Sequence, residues 1–219
     1  MALAAVLALG AVPGAAAAQG AEFITDEGQY PFFTEGITGE DESGGTANKL
    51  YFDTAETYVS CQKAPEFTTS LSQGPATVLS TNSASDGVCD WGYQYPEEAL
   101  EMNGCQLDFE AGAVGWEAGG DLTVDCPAGK AITVEALGYY ECKVTFTPKE
   151  GHAFYFDEGA TLKVYAYVIF DYASTGLCLF QGPGGGLLPS EGAATYIPTW
   201  DISGLDGKGN PGLELGIAE

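Results

Sequence analysis

Six cysteines, Cys61, Cys89, Cys105, Cys126, Cys142 and Cys178, restrict what this chain can fold into more than any other feature. No two of them form C-x-x-C, and His152 is the only histidine. Neither the paired ligands of a structural zinc site nor a thioredoxin-like redox motif is therefore present. An even cysteine count without such motifs predicts three disulfides. The flanking residues alternate with period two. Leu122, Val124 and Cys126 share one strand face against Thr123 and Asp125, and Cys142, Val144 and Phe146 share one against Lys143, Thr145 and Thr147. Cys105, Leu107 and Phe109 do the same against Gln106, Asp108 and Glu110. Three cysteines thus face inward on strands, where a bridge closing a loop of roughly fifteen to twenty residues contributes ~3 kcal/mol in the chain-entropy model. Composition leaves the pairing open. Sequential pairing, Cys61 with Cys89, Cys105 with Cys126 and Cys142 with Cys178, is the expectation, because Cys105 and Cys126 flank the turn-rich "EAGAVGWEAGG" as hairpin arms would. Cys126 with Cys142 is the rival.

The chain opens "MALAAVLALGAVPGAAAAQGAEF", an uncharged apolar run followed by small residues in which Ala16 and Ala18 fit an A-x-A cleavage site. This predicts a secretory signal peptide over residues 1–18, although no Lys or Arg precedes the run. The run falls short of the ~20 apolar residues that span a bilayer. The expected mature protein is secreted or held at the cell surface, with no membrane span. Residues 19–48 are acidic and glycine-rich, as in "TEGITGEDESGG", and read as an arm or linker. Residues 49–219 read as one domain, since the roughly 200 residues left after the signal peptide are enough for a single core burying on the order of 70 per cent of their unfolded surface.

Short β-type runs recur along that domain, among them "KLYFD", "ETYVSC", "CQLDF", "CKVTF", "HAFYF" and "TLKVYAYVIFDY", separated by turn signals such as "PAGK" and "DGKGNPG". About a dozen short strands at roughly ten-residue spacing predict an all-β antiparallel sandwich, jelly-roll or immunoglobulin-like, with at most one or two helical turns. The helical turns are expected at 96–102, "PEEALEM", with Pro in the first turn and two Glu near the N-terminus. The longest strand is expected at 161–172, central or bending between sheets. Pro198 marks an edge or broken strand, because it cannot donate a ladder hydrogen bond. "QGPGGGLLPSEG", 181–192, is a flexible surface loop; it lacks the Lys-Ser/Thr of a phosphate loop.

The runs "VSC", "NGC", "DLTVDCPAGKAITVEA", "CKVTFTP" and "SGLDGKGNPGLELGI", in this order over 58–217, resemble a family of secreted proteins of unknown function found in soil actinobacteria. Its pattern combines a signal peptide, a C-P-A-G strand and turn, a C-x-V-T strand and a glycine-rich tail. The resemblance implies export and a cysteine-stapled β fold, and carries over no catalytic residue. Strong acidity and the stretch "WGYQYPEEALEM" depart from the pattern.

Thirty-one acids against seven bases give a formal net charge of −24, and every base is lysine. Such a surface repels nucleic acid, anionic membranes and phosphate-rich ligands, and attracts cations or basic partners. A Ser-His-Asp triad would have to use His152, which has no nucleophile motif beside it. A glycosidase needs only two carboxylates, which so many acids neither exclude nor localise. No cofactor motif is present and no metal is expected. The best calcium candidates, Asp201, Asp206, Asn210 and Glu214 in "DISGLDGKGNPGLE", miss the EF-hand spacing and read more simply as a glycine-rich turn. In "CDWGYQY", Trp91, Tyr93 and Tyr95 alternate onto one strand face with Cys89, and Trp116 lies in a glycine-rich turn. A row of flat rings can stack on a glycan or anchor a protein partner, but a face shared with a disulfide cysteine is more simply core. The expected protein is a monomeric, non-catalytic component of the cell surface or extracellular matrix that binds glycan or protein. The alternatives are a polysaccharide-active hydrolase and a calcium-binding surface protein.

Overall fold

The computed structural model describes residues 20–39, 48–53, 57–90, 98–115, 119–137, 141–179 and 186–218. The expected signal peptide lies outside them. The described residues are antiparallel β structure, with one turn of 3-10 helix at Asp26–Gly28. After β1 (Glu22–Thr25), eight long strand paths run up and down in chain order. The first is β2 (Phe32–Thr38) leading into β3 (Lys49–Phe52), and the second is β4 (Thr57–Lys63) leading into β5 (Phe67–Thr69). The third is β6 (Val78–Ala84) with β7 (Gly87–Asp90), and the fourth β8 (Glu98–Glu101) with β9 (Gln106–Glu110). The fifth is β10 (Gly120–Asp125) with β11 (Ile132–Leu137). The sixth and seventh, β12 (Glu141–Asp157) and β13 (Leu162–Gly176), are unbroken, and the eighth is β14 (Glu191–Ile197) with β15 (Thr199–Asp206).

Each path pairs antiparallel with the next, and the eighth returns to the first through β14 with β3 and β15 with β2. The sheet therefore closes on itself, which removes the long unpaired edges that invite aggregation. Opposite walls pack face to face across one core, as the two sheets of a sandwich do. Neighbours in space are neighbours in sequence, so the wiring is up-and-down rather than Greek-key. After β16 (Pro211–Leu213), the last strand, β17 (Leu215–Ala218), pairs with β1. This ribbon carries the fully buried Phe23, whose ring meets Tyr155 edge-on at 5.5 Å.

The breaks in the paths fall at one level. Around this waist Gly39 N–H donates to Thr199, Ala64 N–H to the Thr38 hydroxyl, Ser85 N–H to Glu66, Met102 N–H to the Asp86 carboxylate and Ala166 N–H to Pro198. A bulge between Pro148 and Glu150 lets β12 pass the same level without stopping. Trp200 fills the interior here. Its indole N–H donates to Pro65 O at 2.8 Å, and its ring meets Phe67 and Phe109 edge-on. Gly36 makes room for this cluster, since a Cβ there would lie 2.3 Å from the Phe67 ring. Beside Trp200, Leu107, Val124, Phe146 and Tyr196 help enclose an apolar cavity of about 20 Å³.

Several expectations are corrected by this arrangement. Residues 20–39 are not an arm: Phe23 and Phe32 are fully buried, because β1 pairs with β17 and β2 with β15 and β5, which turns Phe23 and Thr25, and Phe32 and Thr34, inward beneath an acidic composition. The expected helix at 96–102 is strand over Glu98–Glu101. Pairing of Leu100 with Gly87 and Val134 buries it, and that tertiary pairing overrides a weak local preference. The longest strand is β12, of 17 residues, because the runs "CKVTF" and "HAFYF" join across the bulge. Pro198 does break a strand, but inside the closed sheet rather than at an edge. Within the glycine-rich loop, residues 181–185 lie outside the described residues, while Leu188 is buried and its N–H donates to Cys178 O.

The disulfides are Cys61–Cys89, Cys105–Cys126 and Cys142–Cys178, the sequential set. Each joins consecutive paths, the second to the third, the fourth to the fifth and the sixth to the seventh. The rival Cys126–Cys142 fails on register. Cys142 pairs with Ala136, ten residues further along the path than Cys126, and is itself bonded to Cys178. Replacing both Cys105 and Cys126 by Ala should cost about 3 kcal/mol in chemical denaturation, with the strand content of the circular-dichroism spectrum retained. Two buried tyrosines separate in a second measurement. The Tyr155 hydroxyl donates to Glu110 O at 2.6 Å, whereas the Tyr196 hydroxyl is buried with no partner among the described residues, and burial raises the pKa of both. Because these folded-state pKa values lie above the unfolded one, stability should be full below about pH 10 and fall as pH rises beyond it. Tyr155→Phe should cost about 1 kcal/mol at neutral pH, and Tyr196→Phe should cost nothing; each should flatten the alkaline fall.

Candidate functional site

The long hairpin of β12 and β13 turns one face to the core along its whole length and carries aromatic rings on the other. Inward stand Ala153, Tyr155, Val164, Ala166 and Val168, all buried. Outward, in register, His152 faces Tyr167 and Phe154 faces Tyr165. The rings form a ladder. His152 lies 5.2 Å from Tyr167, Phe154 stacks on Tyr167 at 6.3 Å, and Phe156 meets Tyr165 edge-on at 5.5 Å. All five side chains are half-buried, so each keeps part of a ring in solvent.

At one end the ladder borders a groove. Asp121 on β10 faces His152, and beyond it β10 parts from β12 at the bulge. The opening, about 330 Å³, is walled by Asp121, Thr123, Lys149, Glu150 and His152. His152 Nδ1 lies 3.2 Å from Asp121 Oδ1, and Lys149 Nζ lies 2.8 Å from Asp171 Oδ1. At the other end Lys163 Nζ bonds Glu158 at 3.0 Å, and this bond raises the ammonium pKa above the ordinary lysine value. Both lysines are thus engaged by carboxylates. A second outward cluster lies across the sheet, where Tyr51 on β3 faces Tyr58 on β4 with ring centroids 5.4 Å apart. Lys49 Nζ stands 5.3 Å from the centre of the Tyr58 ring.

This arrangement offers flat apolar faces flanked by hydrogen-bonding groups, which suits a ligand with apolar and polar faces of its own. It does not assemble a triad: the described partners of His152 are Asp121 and Tyr167, and a relay needs a hydroxyl nucleophile. Glu98 is the described carboxyl that burial raises above the usual range, and it sits on β8 opposite Cys89, away from the groove.

The sequence-derived candidates fare differently. Trp91, Tyr93, Tyr95 and Trp116 lie outside the described residues. Asp201, on β15, is in register with Lys163 rather than with the other calcium candidates. Asp206 closes a turn: Oδ1 accepts from Lys208 and Asn210 N–H, and Oδ2 accepts from Asn210 Nδ2 at 2.8 Å. These donors, Asn210 first, hold its carboxyl below the usual carboxylate range. Its oxygens face N–H groups. Glu214 lies exposed between β16 and β17, where its carbonyl accepts from Asp26 N–H. Among the described residues no group of three or more His, Cys, Asp or Glu is placed to hold a metal ion, and no helix is long and apolar enough to cross a membrane. The ladder itself had a signal in the sequence, since "HAFYF" and "KVYAYVIF" are apolar or aromatic on both strand faces while a one-core sheet needs only one.

Because the Asp206 pKa is depressed, the turn gains from ionisation above about pH 4 and loses that gain as pH falls through the lower folded value. Amide exchange at Lys208 and Asn210 should therefore quicken in acid and in Asp206→Ala, while exchanging calcium for EDTA leaves both amides unchanged. No protein-family model, curated protein or solved structure matches this chain.

Proposed function

We propose that the protein is an exported, disulfide-stapled β protein that binds glycan on the outward face of the β12–β13 hairpin, without catalysis. The aromatic ladder carries this reading. A closed sheet buries its apolar residues inward, so rings held in a row on the solvent side have no core to serve. Sugar rings present apolar faces to such rings and hydroxyls to neighbours such as His152, Asp121 and Glu150. Export is supported by the expected signal peptide, by three disulfides, which persist in oxidising compartments, and by the resemblance to secreted actinobacterial proteins. The net charge of −24 restricts the ligand to neutral or cationic glycans.

Titration calorimetry against a panel of soluble polysaccharides should find a ligand whose affinity falls at least about tenfold in Tyr167→Ala, the size of a stacking anchor. Thermal unfolding should move little, because Tyr167 points away from the core. Loss of stability with unchanged affinity would assign the ladder to packing and refute the reading.

A further inference from the structure

We infer that the ligand is a linear, amine-bearing polysaccharide that spans two aromatic subsites, the β12–β13 ladder and the Tyr51–Tyr58 pair. This rests on the glycan reading above and adds the length and charge of the chain that is bound.

The length follows from register. Glu150 faces Ile169, Ile169 faces Thr195, Thr195 faces Tyr51, and Tyr51 faces Tyr58. These five half-buried or exposed residues lie on successive strands β12, β13, β14, β3 and β4, all outward. In the adjoining row, Asp121 faces His152 and His152 faces Tyr167, while Ile197 faces Lys49. One continuous surface therefore runs from the groove through Tyr167 and the apolar Ile169 and Ile197 to the second tyrosine pair. Three of the eight spacings around the closed sheet, roughly 14 Å along its backbone, separate β13 from β4, so a bound chain follows the curve of the outer surface. A single sugar ring covers about one spacing, so only a chain of several sugars reaches both ends.

The charge follows from what remains unneutralised along this path. Asp171 and Glu158 are bonded to Lys149 and Lys163. Asp121 and Glu150 face the groove at the ladder's edge, and among the described residues no lysine pairs with either. A protein with 31 acids and seven lysines adds a long-range field that draws in a polycation. Ammonium groups on the sugars complement these carboxylates, and they also sit favourably over tyrosine faces, as Lys49 does over Tyr58. Lys49 is then a like charge at the far subsite.

The test compares four soluble probes with the mature protein: glucosamine oligomers of two and six sugars, the N-acetylated six-sugar oligomer and polylysine. The charged hexamer should bind about tenfold or more tighter than its acetylated counterpart, and salt should erase most of that margin. Tyr58→Ala should weaken the hexamer about tenfold and leave the dimer unchanged, Tyr58→Phe should restore it, and Lys49→Ala should tighten the charged hexamer about twofold. Unfolding temperatures of the variants should match the parent.

Equal affinity for charged and acetylated hexamers overturns the inference and leaves the glycan reading standing. Full hexamer affinity in Tyr58→Ala, or weaker binding in Lys49→Ala, overturns it likewise. Polylysine binding as tightly as the hexamer and unaffected by Tyr58→Ala overturns it in favour of a basic protein. Binding of no sugar at all, of any charge or length, defeats the inference and the glycan reading together.

Discussion

Continuous pairing of β12 with β13, from Cys142 opposite Gly176 to Asp157 opposite Leu162, is the constraint on which the rest of this structure depends. Every other path is interrupted at the waist. β12 alone carries pairing past that level on one side, meeting β11 at one end and β10 at the other, while β13 does so for β14 and β15. The hairpin therefore holds two short cylinders of strands in one register and gives them a common core. The bulge at Pro148 makes this possible. By inserting one unpaired residue it keeps Val144 and Phe146 on the same face as Ala153 and Tyr155, where an uninterrupted alternation would have turned half of the strand inside out.

The waist shows how a closed sheet tolerates gaps in its ladder. Backbone groups that lose a strand partner are given side chains instead. The Thr38 hydroxyl takes Ala64 N–H, the Asp86 carboxylate takes Met102 N–H, and the buried Thr81 hydroxyl takes Leu107 N–H. Buried donors without such partners would each cost on the order of 1 to 3 kcal/mol. Trp200 then fills the widened interior that the gaps leave, tied to Pro65 between β4 and β5.

Charge and covalent ties balance at the surface. Seven lysines cannot neutralise 31 acids, so the folded protein carries strong self-repulsion that favours expansion. The three disulfides act against it by joining paths two by two, which restricts the unfolded chain as much as it braces the folded one. With the core supplied by the inward faces and the chain braced covalently, the outward face of the long hairpin can carry half-exposed rings without endangering the fold.

Much of this was legible in the residues alone. Period-two alternation around Cys105, Cys126 and Cys142 set the strand faces, and the absence of C-x-x-C made the cysteines staples, because side chains on a strand must alternate whatever the partner strand is. The net charge of −24 was legible too, since it depends only on composition. What the tertiary structure decided was everything that depends on which strands become neighbours. Residues 96–102 contain good helix formers, and only burial of Leu100 between Gly87 and Val134 makes a strand of them. Phe23 and Phe32 lie in an acidic, glycine-rich stretch whose place in the core appears once β1 and β2 have partners. The candidate site is of the same kind. Tyr167 and Tyr51 are more than a hundred residues apart in the chain, and only the register of β13, β14 and β3 puts their rings on one face. Alternation tells which side of a strand a residue takes; closure of the sheet tells what stands beside it.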